Sequence, residues 1–199
     1  MKMKIKKFEE LSKIVPILTY QRMSDENTIV VSHDKLLFAM KCLKLHFGYQ
    51  YQLLTCISGV DFIGKDYRFS VVYDLLSLTF NTRLRIKVFV NEITSVPSVV
   101  DIFINANWWE REVWDMYGIY FDRHPDLRRI LTDYGFEGHP LRKDFPLTGH
   151  TEVRYSEDKK KVVNEPVKLE QNYRNFDYES PWEGTKYIKE EIENNDKKN

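Results

Sequence analysis

Cys42 and Cys56 are the only cysteines in 199 residues. An iron–sulfur cluster usually takes four ligands, and a structural zinc site takes close-spaced pairs of Cys or His. Two isolated cysteines supply neither. Cys42 falls in a helical pattern and Cys56 in a strand pattern, so both read as small core residues in a reducing compartment rather than as a disulfide. Net charge is missing too. Lys plus Arg number 30, as do Asp plus Glu, which removes any generic attraction to nucleic acid or an anionic membrane surface. No apolar run approaches the roughly 20 residues needed to span a bilayer. Residues 1–10 are basic and then acidic with no apolar stretch, and read as neither a secretory signal nor a transit peptide. There is no glycine-rich phosphate loop, because Gly135 and Gly138 lack both the spacing and the following Lys. His-Glu-x-x-His, Gly-x-Ser-x-Gly and Cys-x-x-Cys are absent as well. Alanine occurs twice, whereas Lys, Ile and Asn are abundant. That bias matches A/T-rich codons, as in many organellar genomes.

What the chain does have is concentrated between Asn107 and Arg129: Asn-Trp-Trp-Glu-Arg-Glu-Val-Trp-Asp-Met-Tyr-Gly, then Ile-Tyr-Phe-Asp-Arg-His-Pro-Asp-Leu-Arg-Arg. Asn107 is placed to cap a helix, with Glu110 three residues on to close a capping box. Gly118 supplies a left-handed residue to end it. Trp109, Val113, Met116 and Tyr117 form one apolar stripe at helical spacing. Trp109 and Val113 are expected to face the core. Glu110, Arg111, Glu112 and Asp115 lie largely off that stripe. They are expected to hold the following loop and a partner, with Arg111 and Asp115 as an i,i+4 ion pair. If exposed, each such charge should matter little to the stability of the isolated domain, under about 1 kcal/mol.

Elsewhere the pattern reads as an α/β (α+β-like) layer. Phe8, Leu11, Ile14 and Val15 suggest a first helix stopping before Pro16. Thr28 to Ser32 is a brief β-branched strand. Leu36, Leu37, Met40, Leu43 and Phe47 keep helical spacing, with Ser32 or Asp34 as cap and Gly48 as stop. Gln50 to Ile57 is apolar on both faces, which suits a central strand. Phe69, Val71, Tyr73 and Leu75 alternate with polar residues, as do Leu84, Ile86, Val88 and Val90, so the two runs read as a hairpin joined near Leu76 to Asn81. A short helical turn is expected around Pro97 to Phe103. The sum is a mixed β-sheet with helices packed on one face over residues 1–118, followed by a long extended C-terminal arm over 119–184. Residues 185–199 read as a frayed, disordered tail. The arm keeps too many aromatics for a plain linker and is too long for a loop, so it is expected to bury them on another protein. Thr151 to Tyr155 and Lys161 to Asn164 suggest a small hairpin within it.

His124, His139 and His150 alternate with Asp126, Asp133 and Asp144. Their spacings match no metal-ligand pattern, and hydrogen-bonding loop anchors are the preferred reading. Glu110 and Glu112 point to different sides of a helix and do not make an acid–base pair. Arg128, Arg129 and Arg142 could fork onto an anion, but salt bridges to the nearby aspartates are more economical. The basic positions Arg68, Arg83, Arg85 and Lys87 share a sheet face, yet only Phe89 accompanies them for base stacking, which disfavours RNA binding.

The charged helix, the run His124-Pro125-Asp126-Leu127-Arg128-Arg129-Ile130-Leu131 and the run from Thr132 to Pro146 together resemble one family: subunit 9 of the respiratory complex I NADH dehydrogenase, called the C subunit in bacteria. The likeness continues through Glu152-Val153-Arg154-Tyr155, Glu165-Pro166 and Ser180-Pro181-Trp182-Glu183, and covers about residues 50 to 184. The resemblance implies a 30 kDa-type subunit of the peripheral arm of NADH:ubiquinone oxidoreductase, a proton translocase of the respiratory chain, in its organelle-encoded form. Such a subunit has no active site, flavin, cluster or quinone of its own. FMN and iron–sulfur clusters reside in neighbouring subunits, and the expected partners are the large quinone-site subunit and cluster-bearing neighbours. The expected place is the matrix side of the mitochondrial inner membrane, with no span of its own. The residues carried over as signature or interface are Glu110, Arg111, Glu112, Asp115, His124, Asp126, Arg128, Arg129, Asp133, Tyr134, Phe136, His139, Arg142, Asp144, Phe145, Tyr173, Phe176 and Trp182. A free-standing metal- or anion-binding enzyme using the Asp/His/Arg loop stands as the alternative.

Overall fold

Alternating apolar residues build the centre of the sheet in the computed structural model, which describes residues 11–23, 26–171, 174 and 176. Strands β4 (Phe69–Ser77) and β5 (Thr82–Val90) pair antiparallel, with Val71 opposite Val88 and Tyr73 opposite Ile86. Phe69, Val71, Tyr73, Leu75, Leu84, Ile86, Val88 and Val90 all point to one buried face. Asn81, at the tight end of the connection, takes a positive φ of 45°.

Three more strands complete a five-stranded mixed sheet. They are β1 (Ile17–Met23), β2 (Glu26–Val31) and β3 (Leu53–Asp61). The order is β1-β2-β5-β4-β3, and only the β2–β5 pair is parallel. The sheet departs from expectation in two places. The apolar run from Gln50 becomes β3, but at an edge of the sheet rather than its centre. A helix, not another strand, packs along it, covering Leu54, Ile57 and Gly59, while Leu53, Thr55 and Ser58 are exposed. Strand β1 has no clean alternation, since Leu18 to Arg22 are exposed on both faces, and the sequence did not announce it.

Helix α1 (Leu36–Leu45) buries Leu36, Ala39, Met40 and Leu43. Its start is a 3-10 turn, His33–Lys35, whose N-cap position, Ser32, makes no side-chain capping bond, and it stops at extended His46 rather than running to Gly48. Residues 11–14 are helical, and the rest of the expected first helix lies outside the described residues. Around Pro97 the chain forms a short strand, β6 (Val96–Pro97), not a helix. A single turn follows, in which Ile102 and Phe103 both donate backbone N–H bonds to the Val99 carbonyl.

Helix α2 (Ala106–Tyr117) lies against β3. Gly118 ends it in the left-handed region, φ 76°, as its sequence suggests. A side chain there would also meet His139 and Arg142 at 2.6 Å. The N-terminus differs from expectation. The cap position is Asn105, which makes no capping bond; its amide instead donates to the Leu54 carbonyl at 2.6 Å. Strand β7 (Phe121–Asp122) then pairs parallel with β6.

The first compact unit runs to Gly149, so the segment from Ile119 to Gly149 belongs to it. In the second unit, β8 (Thr151–Ser156) and β9 (Lys161–Pro166) form the expected hairpin, with Thr151 opposite Pro166 and a bidentate Arg154–Glu165 pair across the strands. Tyr173 and Trp182 lie outside the described residues. Phe176 is half-exposed beneath the Arg174 guanidinium.

Candidate functional site

Three charged residues of α2, Glu110, Arg111 and Asp115, are turned inward. Ala106, Glu110, Val113 and Tyr117 follow one another at helical spacing against the core, and Glu110 is fully buried. Arg111 and Asp115 are buried as well, while Trp109 is only partly so. Of the expected apolar stripe, Val113 is buried in the core and Trp109 and Tyr117 are partly buried against it, but buried charge shares the burial with them.

Asp115 is the hub of this surface. Its Oδ2 accepts the backbone N–H groups of Ile130, Leu131 and Thr132 at 3.2, 2.8 and 3.0 Å. Its Oδ1 accepts the Thr132 hydroxyl at 2.7 Å and Arg129 Nη1 at 3.3 Å. Burial pushes the Asp115 carboxyl up, but the Thr132 hydroxyl and the three amides outweigh it and hold it below the usual range. The expected Arg111–Asp115 pair gives way to this arrangement. Arg111 instead donates from Nε to the Arg128 carbonyl at 3.2 Å and stacks on Trp108.

Glu110 closes no capping box. Its carboxylate accepts the Ser98 hydroxyl at 2.6 Å and the Val99 amide at 2.7 Å, so α2 holds the turn after β6. His124 Nε2 lies 3.8 Å away, both side chains sealed from solvent. Burial pushes Glu110 up to about 7 against the pull of its two donors. Burial likewise lowers the basicity of His124, whose Nδ1 accepts the Asp126 N–H at 3.1 Å and whose Nε2 meets the Asn107 carbonyl at 3.1 Å.

The end of α2 is held by the same loop. His139 Nδ1 donates to the Asp115 carbonyl at 2.9 Å, Arg142 Nε donates to the Tyr117 carbonyl, and Leu141 N–H donates to the Met116 carbonyl. Tyr117 lies over Gly59, where an added Cβ would stand 2.5 Å from its ring. Phe136 and Phe145 pack together at 5.8 Å between centroids, against Gly138.

A second clasp was not visible in the sequence. Asp61, at the end of β3, accepts two bonds from Arg68, at 2.8 and 3.0 Å, and the Lys143 amide at 2.8 Å. Arg68 also reaches Asp144 at 3.0 Å and Glu92 at 2.5 Å. The Arg68 bonds hold the Asp61 carboxyl below the ordinary range, and Asp61 raises the Arg68 guanidinium in turn. Nothing in the local sequence around Asp61 names residues 68 and 143 as its partners.

The remaining signature residues stand outside. Glu112 is half-buried, Arg128 pairs with Asp126 at 2.7 Å in the open, and Asp133 caps its own turn through the Tyr134 amide. Tyr134 is fully exposed, and Leu131, Leu141 and Leu147 are exposed with it. The Asp/His/Arg loop does not converge on a ligand. His124 and His139 serve as anchors, and no group of three or more His, Cys, Asp or Glu among the described residues could hold a metal ion. Of the basic sheet positions, Arg85 pairs with Asp74 and Glu26, and Arg68 with Asp61. What this surface can do is hold a rigid loop and present apolar side chains on it.

Residues 29–151 match the family model described as "Respiratory-chain NADH dehydrogenase, 30 Kd subunit". The chain is 53% identical over 167 residues to the NADH-ubiquinone oxidoreductase subunit 9 of Reclinomonas americana, covering 84% of this chain and 82% of that protein. It is 55% identical over 163 residues to the C subunit of the NADH-quinone oxidoreductase of Methylobacterium radiotolerans, covering 82% and 76%. The corresponding protein of Brucella abortus is 57% identical over 163 residues, covering 82% and 81%.

Proposed function

Because this chain belongs to the 30 kDa subunit family of the respiratory-chain NADH dehydrogenase, we propose that it works as a structural subunit of the peripheral arm of NADH:ubiquinone oxidoreductase and has no active site of its own. Its task in this reading is to brace the large quinone-site subunit and the neighbouring iron–sulfur subunits. Electrons then pass through FMN and clusters held by those neighbours, not through this chain.

One observation carries the reading. The carboxylates that an enzyme would present, Asp61, Glu110 and Asp115, are buried and occupied by structural bonds. The loop they hold turns Leu131, Tyr134, Leu141 and Leu147 outward. Exposed apolar side chains on a rigid support suit a protein partner better than a substrate. Among the described residues no helix is long and apolar enough to cross a membrane. That fits a place on the matrix side of the mitochondrial inner membrane, reached through partner subunits. The proposed partner-binding arm is residues 119–184, and the hairpin β8–β9 lies within it.

The test is a pair of loop-surface changes, Leu131→Ser with Tyr134→Ser, in a host whose complex can be resolved by native electrophoresis. Loss of assembled complex and of NADH:quinone activity, with the purified variant as stable as the parent, is the expected result. Normal assembly with normal activity would remove the loop from the interface. Turnover of NADH by the purified chain alone would remove the structural reading.

A further inference from the structure

Glu110 is surrounded on every side, and no cation is bonded to it among the described residues. From β4 comes Tyr73, fully buried and within electrostatic reach of Glu110; its hydroxyl has no hydrogen-bond partner among the described residues. From the turn after β6 come the Ser98 hydroxyl, the Val99 amide and the like charge of Asp101. From the segment after β7 comes His124. On α2 itself Arg111 is turned away, onto Trp108 and the Arg128 carbonyl.

The histidine cannot serve as the counter-charge without breaking its own bonds. Its Nδ1 accepts the Asp126 N–H, so in this assignment the ring proton sits on Nε2 and is given to the Asn107 carbonyl. A second proton on Nδ1 would face the Asp126 N–H. His124 is therefore held neutral. An ionised Glu110 would keep only two neutral donors in a site without water access.

We propose that Glu110 is the proton-binding member of a sealed polar site, in which the protonated carboxyl keeps residues 96–103 and 121–126 seated on α2 and the ionised carboxylate loosens them. The geometry gives the coupling. Glu110 holds the Val99 amide, and the Val99 carbonyl in turn closes the turn through Ile102 and Phe103. Strand β6 pairs with β7, which leads directly to His124. A buried carboxylate without a cation gains most by reaching water, and opening these two segments is the way to admit it.

The sign follows from linkage. Burial raises Glu110 above its unfolded value of 4.5 to about 7. The folded chain therefore keeps a proton that the unfolded chain has lost, and this contribution to stability declines as pH rises through that window. His124 and His139 are shifted down by burial. They contribute the opposite slope below their unfolded value of about 6.5, so variants must be compared with the parent.

The experiment uses the full chain, with the infrared band of protonated carboxyl and amide hydrogen exchange followed against pH. The parent should lose one acid band with a midpoint near neutrality. Over the same range, protection of amides in residues 96–103 and 121–126 should fall several-fold after correction for intrinsic exchange. Glu110→Gln should lack the band and hold that protection constant. Ser98→Ala removes a donor to the ionised form and should move the midpoint upward. If Glu110→Gln does not fold, Ser98→Ala decides. An unmoved or lowered midpoint overturns the proposal, as does an acid band that titrates near the ordinary carboxylate value of about 4.3.

Discussion

Asp115 and Thr132 are joined twice, through the Thr132 hydroxyl at 2.7 Å and its amide at 3.0 Å, across a sequence separation of 17 residues. This pair of hydrogen bonds is the centre of the joint between α2 and the loop after it. Removing the carboxylate leaves three amides, a hydroxyl and Arg129 without their acceptor. Asp115→Ala is expected to cost about 3–5 kcal/mol, the range for breaking a buried charge from its partners. Asp115→Asn, which keeps one acceptor oxygen, should cost less. Trp109→Ala, only partly buried, should fall below the roughly 3–5 kcal/mol of a fully buried tryptophan. Denaturant melts of the full chain measure all three, and Asp115→Ala proving milder than Trp109→Ala would contradict the ranking.

Arg68 holds a carboxylate whose side chain has no exposure, while its own is 15% exposed. Arg68→Leu should strand Asp61 and cost about 3–5 kcal/mol. The pH dependence has a definite sign. Asp61 and Asp115 are both held below their unfolded values. Their contribution is complete above the unfolded value of about 3.9 and is lost as pH falls through the folded ones. Asp61→Asn should therefore flatten the acid limb of stability against pH. An unchanged acid limb would show that the clasp is not what fails there.

Gly59 and Tyr117 are coupled by shape. A Cβ at residue 59 would lie 2.5 and 2.8 Å from ring atoms of Tyr117, so Gly59→Ala must displace the ring or the helix end. Tyr117→Leu alone loses ring packing. In the double variant the clash is relieved, so the combined loss should be smaller than the sum by about 0.5–3 kcal/mol, the range for residues in contact. Strict additivity in a double-mutant cycle would exclude the coupling.

Truncation after Gly149 separates the two units. Among the described residues the buried hydrophobic core lies between Leu11 and Phe121, so the shortened chain should still unfold cooperatively, with a denaturant slope reduced only by the surface removed. If the second unit is the partner-binding arm, assembled complex and NADH:quinone activity should fall sharply in cells carrying the truncation. Full activity with the truncated chain would refute the arm's role.

Some of this could be read directly from the residue order. Phe69 to Leu75 and Leu84 to Val90 alternate because one face is buried and the other carries Asp74 and Arg85, so local pattern and fold agree. Gly118 and the hairpin from Thr151 were legible for the same reason: turn chemistry is local. The burial of Glu110 and Asp115 was not. Periodicity assigns a charge to the outside, and these two are inside only because Ser98, Val99 and residues 130–132 arrive from other segments. Asp61 with Arg68 and Lys143 is harder still, since the Lys143 amide comes from 82 residues away. The expected Asn107 cap failed because the helix begins at Ala106, which leaves Asn107 inside it, while Asn105 at the cap position bonds Leu54 in β3 instead.

The parallel pairing of β2 with β5 has a consequence for how the chain is made. Strands β3, β4 and β5 can zip together as each emerges from the ribosome, because each is a neighbour of the one before it. The hairpin of β1 and β2 is synthesised first but must wait, since its next partner is complete only at Val90. Until then it is a two-stranded piece, marginal on its own in water. Nascent chains stalled before Thr82 should thus lose residues 17–31 to protease, and chains stalled well beyond Phe121 should keep them.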